Sequence, residues 1–346
     1  MLGLVKFARG AGNMEIREVP EPFPEEGQVK IEVKAAGICG SDIHLFHDTI
    51  NYFIRTPVVV GHEFSGVIAE VGKGVSVWKP GDRVTSEAAF FVCGQCEYCL
   101  TGYYNLCPSR RVIGYWFNGA FTKYCIVPQN LVHRLPENVD FITGAFCEPL
   151  ACCVHGILEL THLCVGNVVV ISGPGPIGLL SLLLVKESGC RAVVCGISKD
   201  EDRLALATRL GADAVINLEK ENPQERIKEM TKGVGADVIL ECSGAAPAAN
   251  LGLDLVKKRG KYTQIGLFGK PIEVDFEKIA YKEIEVRGSL SQRWTAWEKA
   301  IDLLSQGKVN VKPLVSEMLP ISAWEQAFKK LEEGKGIKII LIPEEL

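Results

Sequence analysis

The 346-residue sequence has no surplus of positive charge, no uninterrupted apolar run of membrane length, no internal repeat and no low-complexity tract. With 38 Lys and Arg against 42 Asp and Glu, the net charge of −4 leaves no electrostatic footprint for nucleic acid or an anionic membrane, so neither is expected as a partner. The longest apolar stretch, VVVISGPGPIGLLSLLLV from Val168, is cut by Gly and Pro at its middle and reads as strand, turn and helix. The first residues, MLGLVKFARGAGNMEIREVPEP, lack the basic region, apolar segment and small-residue cleavage site of a secretory leader, and the expected location is the cytoplasm. In that reducing setting the 13 cysteines serve metals, catalysis or cores rather than disulfides. A composition of 47% hydrophobic and 23% charged residues with 35 glycines is that of a globular chain, and its length suggests two domains.

What is present is concentrated in three places. The segment CGQCEYCLTGYYNLC sets Cys93, Cys96, Cys99 and Cys107 at C-x2-C-x2-C-x7-C spacing. Two-residue gaps let thiolates converge on one tetrahedral zinc, with Gly94 and Gly102 easing the turns; core or redox cysteines are the alternative. The second place, AAGICGSDIHLFHD followed by GHEFSG, offers Cys39, Ser41, Asp42, His44, His47, His62 and Glu63 beside glycines. Mixed S, N and O donors suit a catalytic metal site with one open position, whereas a lone buried His or Cys would be packing. Glu148, in AFCEPLACCVHG, is a further donor.

The third is the strand-like run Val168 to Ser172, then Gly173, Gly175 and Gly178 in G-x-G-x-x-G order with Pro176 and Ile177 between, then a helix opening at Leu179. In such a turn the first glycine bends the chain, the second admits a pyrophosphate and the third lets helix and strand close up, which points to a dinucleotide. The runs RAVVCGIS, ADAVINL, ADVILECSG, KYTQIGLFG and EIEVRGSLS continue the strand pattern, with DEDRLALATRLG and APAANLGLDLVKKRG between them reading as helices. A doubly wound parallel sheet over residues 149–288 follows. Residues 1–148, with short strands and frequent turns, predict a mainly β domain carrying the cysteine lobe 93–107. Residues 289–346 predict two amphipathic helices and a last strand, KIILIP.

GHEFSGVIAEVG, the four-cysteine lobe, GPGPIG and the domain order together resemble the zinc-dependent medium-chain dehydrogenase/reductase superfamily over essentially the whole chain. CGSDIH, GHE and CEPLACCVHG are most similar to its polyol (sorbitol-type) branch. The resemblance implies an α/β chain: a GroES-like catalytic domain, to which the C-terminal segment returns, and a Rossmann domain. It implies two zincs, a catalytic one on Cys39, His62 and Glu63 with Glu148 as fourth ligand or water-linked neighbour, and a structural one on the four-cysteine lobe. Ser41 and His44 would form a proton relay, and Asp42 would orient His62. The implied reaction is oxidation of a secondary alcohol of a polyol to the ketone with NAD or NADP, in a homotetramer or homodimer. Threonine 3-dehydrogenase, a simple secondary-alcohol dehydrogenase and a non-enzymatic NADPH-binding protein are the alternatives.

Counting back from the matching LGAD segment, the place where NAD-preferring relatives carry an acidic residue is Ser198, followed by Lys199, with Arg203 one helical turn on. A hydroxyl with two cations suits the 2′-phosphate of NADP, the expected cofactor. In the other reading Lys199 and Arg203 are solvated, and Asp200, Glu201 or Asp202 holds an NAD ribose. Tyr115, Trp116 and Phe117 fall where the family places substrate-pocket residues, or else are core. Ser291 stands where animal sorbitol dehydrogenases have a substrate-binding arginine, and Arg293 is two residues away.

Overall fold

In the computed structural model, which describes residues 1–50 and 52–344, the chain forms two units, each with its own apolar core. One contains Met1–Glu148, Arg293–Gly307 and Val311–Leu346. The other contains Pro149–Gln292 and Lys308–Asn310.

The first unit is built on a seven-stranded sheet whose central member is Gln28–Gly37. Its alternating QVKIEVKA pattern puts Val29, Ile31 and Val33 into the core. Glu63–Val71 and Tyr124–Pro128 pair with it antiparallel, and so does the last strand, Lys338–Ile342. Helix Gly40–Phe46 leaves the end of the central strand directly. Helix Trp324–Glu332 puts Ala327 and Phe328 into this core, and helix Trp294–Ser305 of the same unit buries Trp297 and Ala300.

The second unit is a six-stranded parallel sheet. Its strands are β1 (Val168–Ser172), β2 (Arg191–Gly196), β3 (Ala214–Asn217), β4 (Ala236–Glu241), β5 (Val256–Gln264) and β6 (Glu285–Gly288). Their spatial order is β3-β2-β1-β4-β5-β6, the doubly wound order in which the chain reverses direction between β1 and β4. The central strand β1, VVVIS, is buried at every position, as a parallel strand covered on both faces requires. Helix Pro176–Glu187 follows β1 with Gly175 as N-cap and Pro176 as its first residue, where proline's missing N–H is no loss.

One sequence expectation fails here. APAANLGLDLVKKRG reads as a single helix, yet the helix stops at Leu255 and Val256 already pairs with Ala236 as the start of β5. Buried Val256 is drawn into the sheet, Lys257 pairs with Asp237 at 2.5 Å, and Arg259 adopts φ 57°, which a continuing helix does not permit. Tertiary pairing overrides the helix propensity of the basic run.

The close approach behind the glycine-rich turn is measurable. A Cβ on Gly178 would lie 1.9 Å from the carbonyl oxygen of Gly173, so any side chain there pushes the helix off β1. Gly178→Ala is expected to destabilise this unit by about 3 kcal/mol, an overpacking penalty, with loss of dinucleotide affinity; urea unfolding and a dinucleotide titration check both.

Candidate active site

The sheet register assembles the first site. Gly37 pairs with Glu63 on one side and with Ile340 on the other, so the residues just beyond the central strand meet the start of GHEFSG and the last strand. Side-chain donor atoms of Cys39, His62 and Glu63 consequently all lie within 4.8 Å of one another. Gly37 makes room for them, since a Cβ there would sit 2.5 Å from Glu63 Oε2.

Each donor is held from behind. Asp42 accepts the Cys39 backbone N–H at 2.9 Å, closing the first turn of helix Gly40–Phe46, and its Oδ1 faces His62 Nδ1 at 3.5 Å. With Nδ1 turned to a carboxylate, Nε2 is the ring nitrogen left for a metal. Lys338 lies buried at the start of the last strand, its Nζ 2.6 Å from Glu63 Oε2 and 2.9 Å from the Ile38 carbonyl. Burial alone would lower the pKa of this lysine, but the negative groups around it, Glu63 first, hold it above its ordinary value. Nothing local in the sequence announces Lys338; its only mark is a charge at the head of an otherwise apolar KIILI strand.

Glu148 is buried in the first turn of helix Cys147–Val154 and stands outside the 4.8 Å set. Burial raises its carboxyl pKa, with neighbouring Glu63 adding to the rise and His62 and Lys338 opposing it. Several carboxylates and a thiol share this enclosure with one lysine, an arrangement that a divalent cation would neutralise. The mixed donor set therefore fits zinc.

Ser41 and His44 are three residues apart on helix Gly40–Phe46 and so share a face. His44 Nδ1 lies 3.0 Å from Thr49 Oγ1, a partner that the sequence did not suggest. Tyr115 is buried, with its ring 5.8 Å from the His62 ring. Trp116 packs on Phe53 at 4.4 Å and Phe117 stacks on Phe90 at 3.9 Å, so of the three aromatics only Tyr115 reaches the site. Arg293 lies over the Tyr103 ring at 4.3 Å.

The four cysteines of the lobe also converge within 4.8 Å. Cys93 Sγ is 3.9 Å from Cys99 Sγ and 3.6 Å from Cys107 Sγ. Four thiolates about 2.3 Å from a tetrahedral zinc lie about 3.8 Å apart, so these sulfurs already stand at the edges of such a site. Backbone N–H groups of Gln95 and Cys96 lower the Cys93 thiol to about 6, while burial and the neighbouring thiols raise Cys99 to about 12. Four adjacent thiolates need a cation, and zinc fits them.

In the second unit Gly175 opens onto empty space, with no atom within 4 Å of an added Cβ, at the N-terminus of helix Pro176–Glu187. That is a cradle suited to a pyrophosphate, facing the start of a helix in which Ile177 is the first residue to carry an N–H, Pro176 having none. Ser198 follows β2, and its hydroxyl accepts from Asn217 Nδ2 at 3.3 Å. Arg203 pairs with Asp200 at 3.6 Å, and Asp200 also caps the Ile197 N–H at 3.2 Å. Glu201 pairs with Lys220. The acidic group that reaches Ser198 is instead Glu219, which accepts the Ser198 backbone N–H at 2.9 Å.

Residues 25–137 match the alcohol dehydrogenase GroES-like domain, and residues 176–306 match the zinc-binding dehydrogenase domain. This chain belongs to the zinc-dependent medium-chain dehydrogenases. It is 46% identical to a sorbitol dehydrogenase of Halalkalibacterium halodurans, over 99% of both chains. It is 43% identical to a D-arabitol-phosphate dehydrogenase of Enterococcus avium, over 99% of this chain and 97% of that one. A zinc-binding dehydrogenase from Sinorhizobium meliloti 1021 bound to NADP has the same fold, with a TM-score of 0.91, 30% identity and 99% coverage of each chain. These likenesses set the chain on the polyol branch of the family and make it an oxidoreductase acting on alcohols.

Removing the charge of Lys338 while keeping its bulk would leave Glu63 buried without its cation. Lys338→Met is expected to destabilise the metal-free protein by about 3 kcal/mol, the size typical of a broken buried ion pair. Added zinc is expected to restore part of the loss in thermal unfolding. An unchanged unfolding curve would show that Glu63 does not depend on Lys338.

Proposed function

We propose that this dehydrogenase interconverts a secondary alcohol of a polyol, or of its phosphate, and the corresponding ketone, with NADP used in preference to NAD. The observation that carries the proposal is the convergence of Cys39, His62 and Glu63 beside a hydroxyl, Ser41, on the same helix as an exposed imidazole, His44. The sorbitol and D-arabitol-phosphate specificities of the two relatives support a polyol substrate.

In this reading Cys39, His62 and Glu63 hold the catalytic zinc, with Glu148 beside them, and Cys93, Cys96, Cys99 and Cys107 hold the structural one. Bound zinc supplies the Lewis acidity that lowers the pKa of the substrate hydroxyl, and NAD(P)⁺ supplies the hydride acceptor. Ser41 takes the hydroxyl proton and passes it to His44, whose Nδ1 is held by Thr49 so that the ring can release a proton to water. The carbinol carbon loses hydride with its electron pair, and the substrate, short of one hydride and one proton, is the ketone. Asp42 and Lys338 touch neither substrate nor cofactor; they position His62 and Glu63. Ser198, Lys199 and Arg203 support the NADP preference, because the usual acidic residue is replaced by a hydroxyl beside two cations.

A homodimer or homotetramer through the open edge of the parallel sheet belongs to the same proposal. All four residues of β6 are exposed, among them Val286, and such an edge pairs readily with a copy of itself. A reducing cytoplasm suits the 13 cysteines, which include no disulfide among the described residues.

Metal analysis of the wild type is expected to give about two zincs per chain, falling to about one in Cys39→Ser with loss of polyol oxidation. Cys96→Ser is expected to lose the other zinc and thermal stability. A wild-type kcat/KM higher with NAD than with NADP would refute the cofactor preference. Light scattering after size exclusion is expected to report a dimer or tetramer, and a monomer at micromolar concentration would contradict the edge assignment.

A further inference from the structure

The adenosine end of the dinucleotide site contains a carboxylate that the sequence did not single out. Strand β2 runs parallel to β1, and its last residues are fixed to the glycine-rich turn: Gly173 N donates to the Cys195 carbonyl at 2.9 Å. The residue that meets the adenosine ribose in such a fold stands about 20 positions beyond the glycine-rich turn, which from Gly178 is Ser198. Ser198 is too short and uncharged to act as the usual ribose acceptor. On the next strand, Asn217 pairs with Gly196. Ser198 and Glu219 therefore lie equally far beyond a matched pair, and the Leu218 N–H reaching the Gly196 carbonyl at 2.9 Å carries the alignment one residue further.

The outcome is a closed ring of hydrogen bonds. Ser198 N donates to Glu219 Oε2 at 2.9 Å, Glu219 N donates to Asn217 Oδ1 at 3.1 Å, and Asn217 Nδ2 donates to Ser198 Oγ at 3.3 Å. The nearby cations Lys220 and Arg203 already have carboxylate partners in Glu201 and Asp200. A negative charge thus stands on the backbone of the very residue whose neighbourhood would otherwise suit a 2′-phosphate.

We propose that Glu219 is the residue that discriminates between the two dinucleotides: its carboxylate accepts the ribose 2′-hydroxyl of NAD and repels the 2′-phosphate of NADP. The inference rests on the dinucleotide reading of this unit and deepens it, because the NADP preference carried by Ser198, Lys199 and Arg203 is then held small by an acidic group supplied from the strand beyond. Its exposed position lets the side chain turn to solvent when a phosphate enters, so both cofactors are admitted.

The test is a fluorescence titration of NADPH and NADH against the zinc-loaded full chain, as wild type, Glu219→Gln and Glu219→Ala. Removing one like charge at this range is expected to tighten NADPH roughly tenfold. NADH is expected to stay level or weaken severalfold, so the ratio of the two dissociation constants moves by tenfold or more. Glu219→Gln keeps an acceptor for the Ser198 N–H, and an unchanged melting temperature without dinucleotide shows that its fold is intact. A ratio that stays within about threefold of wild type in both variants overturns the proposal, even if both affinities change. Wild type binding neither dinucleotide would overturn the underlying reading as well, and wild type preferring NADH would refute the NADP preference alone, since the proposal is read from the change in ratio.

Discussion

The pairing of Gly37 with Glu63 is the constraint on which the active site depends. One strand ends at Gly37 and another starts at Glu63, so their register fixes where the chain leaves for Cys39 and where it arrives through His62. A slip of one residue would turn Glu63 to the opposite face of the sheet and dissolve the donor set. The buried Lys338–Glu63 pair reinforces that register from the third strand. Such a pair contributes little net stability over an apolar contact, but breaking it leaves a charge stranded, so it penalises any alternative alignment. Lys338 also accounts for how a buried carboxylate can coexist with a thiol and a second carboxylate before any metal arrives. Its ammonium group occupies one oxygen of Glu63, and a carboxylate has two.

The parts of this arrangement that were legible in the sequence are those whose chemistry is local. Four cysteines within fifteen residues, a glycine-rich turn between a β-branched run and a helix, and Cys39 with Ser41, Asp42 and His44 all declare themselves because one short segment supplies several groups. The groups that escaped come from distant segments. Lys338 is 275 residues from Glu63, and Glu219 is 21 residues from Ser198, each brought in by strand pairing that no periodicity specifies. Tyr115 could be read either as core or as pocket because an aromatic in a β unit carries no mark of its direction; its place 5.8 Å from the His62 ring turns it toward the site. The mistaken helix over VKKRG has the same origin, since Val256 is fixed by its partner Ala236 and not by its neighbours in sequence.

The two kinds of positioning device differ in what they resist. Asp42 and Lys338 are almost fully buried, and their partners His62 and Glu63 belong to the candidate donor set, so the geometry they impose is stiff. Glu219 and Ser198 lie at the rim of the parallel sheet in contact with water, where electrostatic preference is weaker and a side chain can leave. Rigid support suits chemistry that needs a fixed donor set, and a yielding contact suits a choice between two cofactors that differ by one phosphate.

The cysteine lobe shows how a segment with little apolar content is joined to a well-packed unit. Tyr98, Leu100, Tyr103 and Leu106 are all exposed, so the lobe has scarcely any core of its own to hold it. One metal would tie it internally, and Tyr104 ties it to the rest: its hydroxyl lies 2.8 and 2.9 Å from the two oxygens of buried Glu87. Glu87 also meets His133 Nε2 at 3.2 Å, while His133 Nδ1 reaches Glu298 at 2.6 Å and the ring stacks on Trp297. Burial and the adjacent carboxylate raise the Tyr104 pKa, which favours the protonated phenol as the donor to Glu87. The lobe thus has four converging sulfurs at one end, and at the other the Tyr104 phenol on Glu87 and Arg293 over the Tyr103 ring. Because the phenol belongs to the same loop as Cys99 and Cys107, loss of the metal would loosen the chain on both sides of it and reach the Trp294–Ser305 helix through His133.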